Sequence, residues 1–379
     1  MSAPRLSRHL AGVRCFACNL GHDPRTLLTV CTRCGLPLRV DYDLPAIRLR
    51  LSDLAGRPPT LWRYREVLPL EEGDEISLAE GFTPLIAVEP NVWVKDEARN
   101  PTGSFKARGM ALAVSMAKRL GAKALAAPSA GNAAGALSAY GARAGMPVTV
   151  AMPDDTPRAF FDECRLYGAA VHRVPGTIAD AGKFLRNHAA NGAFDVSTLR
   201  EPYRIEGKKT MAYELVEQMQ GAVPDVVLYP TGGGTGLVGM WKACDEMEAL
   251  GWIPRGRRPR FVSVQSAGCA PVVKAFAEGS ERTERWLEPH TRAYGLRVPA
   301  PLGGFLCLRA LRETQGTAIA ISDERADEAT LALAGRSGLD VCPEGGAAWA
   351  ALAELRGSGF IRPTDRVVVF NTGTGLKYR

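Results

Sequence analysis

Along most of this chain the apolar positions come in short blocks, and between the blocks the pattern changes to that of helices. Compact apolar runs at residues 124–127, 148–152, 169–174, 226–229 and 261–265 predict strands. The intervening stretches, rich in Ala, Leu, Met, Glu, Lys and Arg, predict helices at residues 105–120, 133–144, 158–167, 177–190, 208–219 and 237–250. The carboxyl third repeats this alternation and ends in the unbroken run Val367-Val368-Val369-Phe370. Unalternated runs of that kind suit strands buried on both faces. Strands separated by helices of roughly 10–15 residues argue for βαβ units and parallel sheets. The class is therefore α/β. Residues 40–80 depart from the pattern: Arg57-Pro58-Pro59 and several charges mark a connector, with a short helix around residues 62–67.

Bulk properties narrow the picture a little. At 379 residues, 46% hydrophobic and 23% charged, the chain can bury a sizeable core, and two domains are expected rather than one. No run approaches the ~18 apolar residues of a membrane span, and the amino end lacks a secretory pattern. No membrane partner and a cytoplasmic location are expected. The net charge of +7 is dispersed, which suits an anionic small molecule and gives no reason to expect nucleic acid.

Four of the nine cysteines share one pattern, Cys15-x2-Cys18 and, after a gap, Cys31-x2-Cys34. Two such pairs can each hold one side of a tetrahedral metal, and Gly21 and Gly35 suit the turns. A closed site of four thiolates around structural Zn²⁺ is the reading, supporting folding without chemistry of its own. Disulfides are disfavoured in a reducing compartment. Nucleic-acid contact, another use of such ribbons, lacks an interleaved basic and aromatic run here. The remaining cysteines read as buried small hydrophobes.

The strongest chemical signal lies at Asn100-Pro101-Thr102-Gly103-Ser104-Phe105-Lys106. Asn100-Pro101 marks a turn, Thr102 or Ser104 could cap the following helix, and Gly121 could stop it. Lys106 falls in the first helical turn, where the macrodipole lowers the cost of a neutral amine or an adjacent anion. This stretch resembles the cofactor-lysine motif of the pyridoxal-phosphate (PLP) enzymes of the tryptophan-synthase β-subunit type, above all the threonine synthases. The resemblance implies that Lys106 holds the cofactor as a Schiff base and also shuttles protons, and that Ser104 and Phe105 flank cofactor and substrate.

Further stretches extend the resemblance. Glu80-Gly81-Phe82-Thr83-Pro84-Leu85 is similar to the lead-in of threonine synthases. Ser129-Ala130-Gly131-Asn132, between a predicted strand and helix, resembles the family's Ser-x-Gly-Asn loop. There Ser129, Ala130 and Gly131 would bind the substrate carboxylate, and Asn132 would meet the cofactor's phenolic oxygen. Thr231 to Gly236 is a glycine-rich loop without a Walker lysine. In family terms Gly232, Gly233, Gly234, Thr235 and Gly236 would cradle the cofactor phosphate. Asn371-Thr372-Gly373-Thr374-Gly375-Leu376-Lys377 resembles the closing motif, in which the hydroxyl of Thr372 would bond the pyridine nitrogen. Finally, Ser197, Thr198 and Arg204 sit in a stretch resembling the segment that grips the substrate phosphate. A surface basic patch is the other reading of that stretch.

The resemblance covers roughly Glu80 to Tyr378 and implies two parallel-sheet domains of the PLP fold-type II kind, preceded by a small zinc ribbon. The expected division is a ribbon at 1–45, a large domain at 46–117 and 208–379, and a small mobile domain at 118–207. The implied reaction converts O-phospho-L-homoserine and water into L-threonine and phosphate, in a homodimer. The alternatives are threonine or serine dehydration, and β-replacement on a phosphoserine-like substrate as in cysteate synthases.

Overall fold

The computed structural model describes residues 4–188 and 192–379. Contacts divide the chain into two compact units. The first comprises Met1–Phe82, Asn100–Thr102 and Lys106–Thr210, and the second Thr83–Arg99, Gly103–Phe105 and Met211–Arg379.

The chain opens, in the first unit, with β1 (Leu10–Cys15), β2 (Gly21–His22) and β3 (Leu38–Tyr42), an antiparallel sheet in the order β2-β1-β3. Cys15 ends β1, and tight turns carry the other three cysteines. Short 3-10 helices follow, including Leu61–Val67, kinked at Tyr64, where a short helix is expected. The hairpin β4 (Leu85–Glu89) and β5 (Val92–Asp96) belongs to the second unit.

The first unit resumes with α1 (Lys106–Arg119), β6 (Leu125–Pro128), α2 (Asn132–Ala144), β7 (Val148–Pro153), α3 (Arg158–Leu166), β8 (Ala170–Val174), α4 (Ile178–His188), β9 (Phe194–Asp195) and the first half of α5 (Tyr203–Gln218), whose residues from Met211 on are counted with the second unit. The predicted helix at 177–190 is α4, and its last two predicted residues lie outside the described ones. The strands form a parallel sheet in the order β8-β7-β6-β9. Side chains alternate between the two faces of a strand. On one face Val148 packs against Gly141 of α2, whose absent Cβ would lie 2.1 Å from the valine Cγ2. Three residues on, Ala151 turns to the other face and joins Ala181 and Leu185 of α4. Pro128, which pairs with Ala151, also lies under α4, 3.6 Å from where a Cβ on Gly182 would stand. So α2 and α4 cover opposite faces, and α1 packs on α2.

The second unit continues through β10 (Val226–Pro230), α6 (Thr235–Ala249), β11 (Arg260–Ser266), α7 (Pro271–Ala277), α8 (Gly304–Glu313), β12 (Thr317–Ile321), α9 (Asp323–Ser337), α10 (Pro343–Gly357) and β13 (Val367–Asn371). With β4 and β5 these strands make a six-stranded sheet, order β12-β11-β10-β13-β5-β4, parallel except for β4. Val226, Leu228, Val262, Val264, Val367 and Val369 turn one face toward Ala347, Ala351 and Leu355 of α10 and Ala326 and Leu333 of α9. Each such side chain removed from water stabilises the unit by roughly 1.5–3 kcal/mol before chain entropy is counted. Val227 and Phe261 turn the other way, toward Met240 and Cys244 of α6.

Two local expectations are corrected. Helix α5 begins at Tyr203, five residues before the predicted start at 208, because the buried carboxylate of Glu201 accepts the amides of Tyr203 (2.7 Å) and Arg204 (3.1 Å) and so caps it. Ser104 does not cap α1: its hydroxyl is buried and makes no hydrogen bond among the described residues.

Candidate active site

The lysine motif is fastened, residue by residue, to the end of β13. Thr102 and Gly103 both have left-handed φ, +59° and +62°, which turns the chain sharply. A Cβ on Gly103 would lie 2.8 Å from Thr374 Cγ2, so only glycine fits there. Thr374 N donates to Gly103 O at 2.9 Å, Ser104 bridges Gly373, and Phe105 N donates to Thr372 O at 3.1 Å. The Phe105 ring is buried edge-on against Tyr229, which in turn meets Phe370. Lys106 is the next residue and the first of α1.

On its own unit's side, the start of α1 is held very close to α5. The guanidinium of Arg108 is fully buried and donates to Thr210 Oγ1 at 3.1 Å. Gly207 of α5 lies against the Arg108 carbonyl with no room for a side chain. A second anchor is Glu80, also fully buried. Its carboxylate accepts Trp62 Nε1 (2.6 Å), the Leu78 amide (2.8 Å), Ser77 Oγ and the Tyr140 hydroxyl (2.5 Å). Burial and the adjacent Glu80 charge drive the Tyr140 hydroxyl far above its ordinary range, so it stays a donor. The Glu-Gly-x-Thr-Pro stretch is thus a structural hub, a role its sequence did not reveal.

At the carboxyl end of β6, Ser129 organises its own loop. Its hydroxyl accepts the amides of Ala134 (3.1 Å) and Gly131 (3.3 Å), and so Ser129 supplies the side-chain contact at the start of α2. Asn132 is already the first helical residue. Gly131 has φ +155° and rests on the Phe160 ring at 3.6 Å. The Ala130 amide makes no hydrogen bond among the described residues, which leaves it available to a carboxylate.

In the second unit the glycine loop follows β10. Gly232 is pressed on the carbonyl of Gly295, Gly234 has φ +82° beside Cys307, and Gly236 abuts Tyr229. Helix α6 starts at Thr235 with no side-chain cap, so its first amides are open to an anion. Thr235 and Gly236 are therefore helix residues, although the sequence suggests loop. Thr372 directly follows β13, the strand paired with β10. Its hydroxyl lies 3.6 Å from the Cys342 thiol. Burial, then the neighbouring Glu344, pushes that thiol well above its ordinary value. Cys342, expected to be packing only, is thus Thr372's neighbour. Glu344 accepts the Gly295 amide (2.7 Å) and the Tyr378 hydroxyl (2.9 Å), bracing the segment on which Gly232 rests.

The segment after β9 is partly occupied with itself. Ser197 donates its hydroxyl to Asp195, and Thr198 is half-buried. Arg204 is buried, donates Nη1 to the Val196 carbonyl at 2.9 Å and leaves Nε without a partner among the described residues. Burial lowers the pKa of this guanidinium and pushes the nearby Glu201 up to about 7. At the amino end, one ligand atom from each of Cys15, Cys18, Cys31 and Cys34 falls within 4.8 Å of the others, a set that can hold a metal ion.

Comparison with known proteins places this geometry. A family model described as "Pyridoxal-phosphate dependent enzyme" matches residues 76–373. A threonine synthase of Methanocaldococcus jannaschii is 33% identical over 376 residues, 96% of this chain and 92% of that one. The chain belongs to the threonine synthase family of pyridoxal-phosphate dependent enzymes. Another member, a threonine synthase of Bacillus sp. (strain ULM1), is 33% identical over 84% of this chain and 89% of its own. Among solved structures, a T.th. threonine deaminase matches with a TM-score of 0.64 and 26% identity, over 77% of this chain and 92% of that one. Maize serine racemase gives 0.66 at 20% identity, over 77% and 88%, and shares the fold. For a threonine synthase family member the residues present fit the cofactor. An uncapped helix start suits a phosphate, a buried threonine directly follows the adjacent strand, and an unpartnered serine hydroxyl stands two residues before Lys106. No helix among the described residues is long and apolar enough to cross a membrane.

Proposed function

We propose that this chain is a threonine synthase that converts O-phospho-L-homoserine and water into L-threonine and phosphate. The observation that carries the reading is end-to-end similarity to threonine synthases, 33% over 96% of the chain for the M. jannaschii protein. Pyridoxal phosphate, when bound, supplies the electron sink that makes hydrogens at the substrate's Cα and Cβ acidic. Lys106 holds it and then takes and returns protons at those two carbons. The amides of Gly232 to Gly236 take its phosphate, Thr372 orients its ring nitrogen, and Asn132 meets its phenolic oxygen. Phe105 backs the site and Ser104 supplies a hydroxyl beside Lys106. The loop Ser129, Ala130 and Gly131 holds the substrate carboxylate, for which the open Ala130 amide is suited. Ser197, Thr198 and Arg204 grip the substrate phosphate, with the unpartnered Arg204 Nε as a ready donor. Cys15, Cys18, Cys31 and Cys34 hold a structural Zn²⁺. A homodimer and a cytoplasmic location complete the reading.

The test is product release from purified holoenzyme given O-phospho-L-homoserine, with L-threonine and O-phospho-L-serine in parallel. Threonine and phosphate should appear one for one and vanish in Lys106→Ala. Inertness toward phosphohomoserine, with 2-oxobutyrate formed from threonine, overturns the reading in favour of a dehydratase.

A further inference from the structure

The three-stranded ribbon sheet reaches α5 through a buried tyrosine. Tyr42, the last residue of β3, donates its hydroxyl to Glu206 Oε2 at 2.8 Å. The same carboxylate oxygen takes the Lys209 ammonium at 2.6 Å, and that ammonium stands over the Tyr42 ring, 4.1 Å from its centroid. The side chains of Glu206 and Lys209 are fully buried. A second residue of the ribbon also approaches α5. Burial, then the charges of Glu201, Glu206 and Asp23, raises the Tyr203 hydroxyl above its ordinary range. All of these residues belong to the first unit.

The place of this contact on α5 gives it a consequence. A helical period puts Glu206 and Lys209 on one side of α5, and Arg204 and Lys208 on the other. That other side faces α1: a Cβ on Gly109 would stand 3.0 Å from Lys208 Cε and 3.4 Å from Arg204 Cβ. The start of α5 is therefore held between Tyr42 of the ribbon and the helix that begins with Lys106. Without the tyrosine hydroxyl the Glu206 carboxylate loses a donor while still buried, and a buried charge short of donors is costly. That cost falls on the first two turns of α5, which carry Arg204. We infer that the ribbon is a positioning element for the substrate-phosphate grip: through Tyr42 it fixes the start of α5, and with it Arg204. The inference rests on the assignment of Arg204 to the substrate phosphate. Tyr42 is a positioning residue, acting through Glu206 and Lys209.

The test compares wild-type holoenzyme with Tyr42→Phe, which keeps the ring over Lys209, and with Tyr42→Ala, which removes both contacts. Hydrogen exchange over residues 203–210 reports the docking without any substrate. It should quicken about tenfold in Tyr42→Phe, or about 1.4 kcal/mol of protection, and further in Tyr42→Ala. Ligand measurements report the consequence. In Tyr42→Phe the KM for O-phospho-L-homoserine and the dissociation constant of inorganic phosphate, the latter by equilibrium dialysis, should both rise about tenfold, with kcat within about twofold of wild type. The dissociation constant of L-threonine, which carries no phosphate, should stay at its wild-type value by cofactor absorbance. Unchanged exchange over 203–210 overturns the inference. So does a lowered thermal midpoint with KM unchanged, or equal weakening of threonine and phosphohomoserine, since a purely structural tyrosine would give either. If wild-type holoenzyme is inert toward phosphohomoserine, the proposed reaction falls, and hydrogen exchange together with phosphate dialysis decides the inference without it.

Discussion

The contact between α1 and α5 makes a sharp prediction, because one substitution there sets two effects of opposite sign against each other. Gly207 lies inside α5, where alanine is favoured over glycine by about 1 kcal/mol. A Cβ at that position would stand 1.9 Å from the Arg108 carbonyl oxygen, 2.6 Å from its carbon and 3.1 Å from Gly109 Cα. All three are backbone atoms of the neighbouring helix, so no side chain can rotate away. The helices must part by about 1 Å for the contact to become tolerable, and overpacking of this kind costs about 1–3 kcal/mol, with the upper end expected where only backbone can yield. The clash wins, and Gly207→Ala should destabilise the protein by about 2 kcal/mol. At roughly 2–4 °C per kcal/mol for a unit of this size, the thermal midpoint should fall by about 4–8 °C.

The same substitution at Gly335 is the control. That glycine lies in α9 with nothing within 4 Å of where a Cβ would stand. Only the propensity term remains, and Gly335→Ala should raise the midpoint by about 2–4 °C. Activity supplies the second readout. Arg108 lies two residues beyond Lys106, and a shift of about 1 Å at a reacting group can cost about 100-fold. Thus kcat/KM should drop steeply in Gly207→Ala and stay unchanged in Gly335→Ala. A Gly207→Ala protein as stable as the wild type would refute the packing argument, and normal turnover in a destabilised one would separate the helix contact from the lysine.

Ser104→Ala removes a buried hydroxyl that has no partner among the described residues, so the midpoint should move by less than about 1 °C while kcat/KM falls about tenfold or more; equal loss of both would make Ser104 structural. Burial pushes the Glu201 carboxyl up to about 7 from an ordinary 4.5. A proton held more tightly in the folded state adds stability that is complete below about 4.5 and lost as pH rises through about 7, so wild type should lose about 3 kcal/mol relative to Glu201→Gln across that window. Urea unfolding at several pH values measures this, and a pH-independent gap between the two proteins would contradict it. The four-cysteine set should bind one Zn²⁺ per chain by elemental analysis, and Cys15→Ser with Cys31→Ser should lose the metal and lower the midpoint. Full metal content in the double variant would place the ion elsewhere.

How much of this could be read from the sequence depends on how far apart the partners lie along it. The lysine motif was legible because its turn, its glycine and its lysine are consecutive, and the four cysteines because metal geometry limits their spacing. The parallel sheets were legible from the apolar runs at β7, β10, β11 and β13. Glu80 was opaque because its partners include Trp62 and Tyr140, on segments that nothing in the local pattern joins. Cys342 looked like filler since Thr372 is 30 residues further on. The two-residue β9 has no period to detect, and β12 is mostly half-buried, giving no strong apolar contrast. The start of α2 is organised by Ser129, three residues before the first helical residue, a link that no helical period announces.

What the topology adds is a reason for the motifs to stand where they do. In the six-stranded sheet the chain steps from β10 to β11 and β12, and β13 then lands on the far side of β10. The connection that leaves β10 and the one that arrives at β13 therefore run to different sides, and their carboxyl ends are not covered by a single crossover. Gly232 to Gly234 and Thr372 occupy those two ends. The four-stranded sheet repeats the arrangement with β6 and β9, whose ends carry Ser129 to Gly131 and Asp195 to Thr198. A parallel sheet offers an open end only where its winding reverses. Each sheet reverses once, and the polar loops Gly232 to Gly234, Ser129 to Gly131 and Asp195 to Thr198 stand at those reversals. Strand order, which the apolar periodicity alone does not specify, is thus what turns separate motifs into sites.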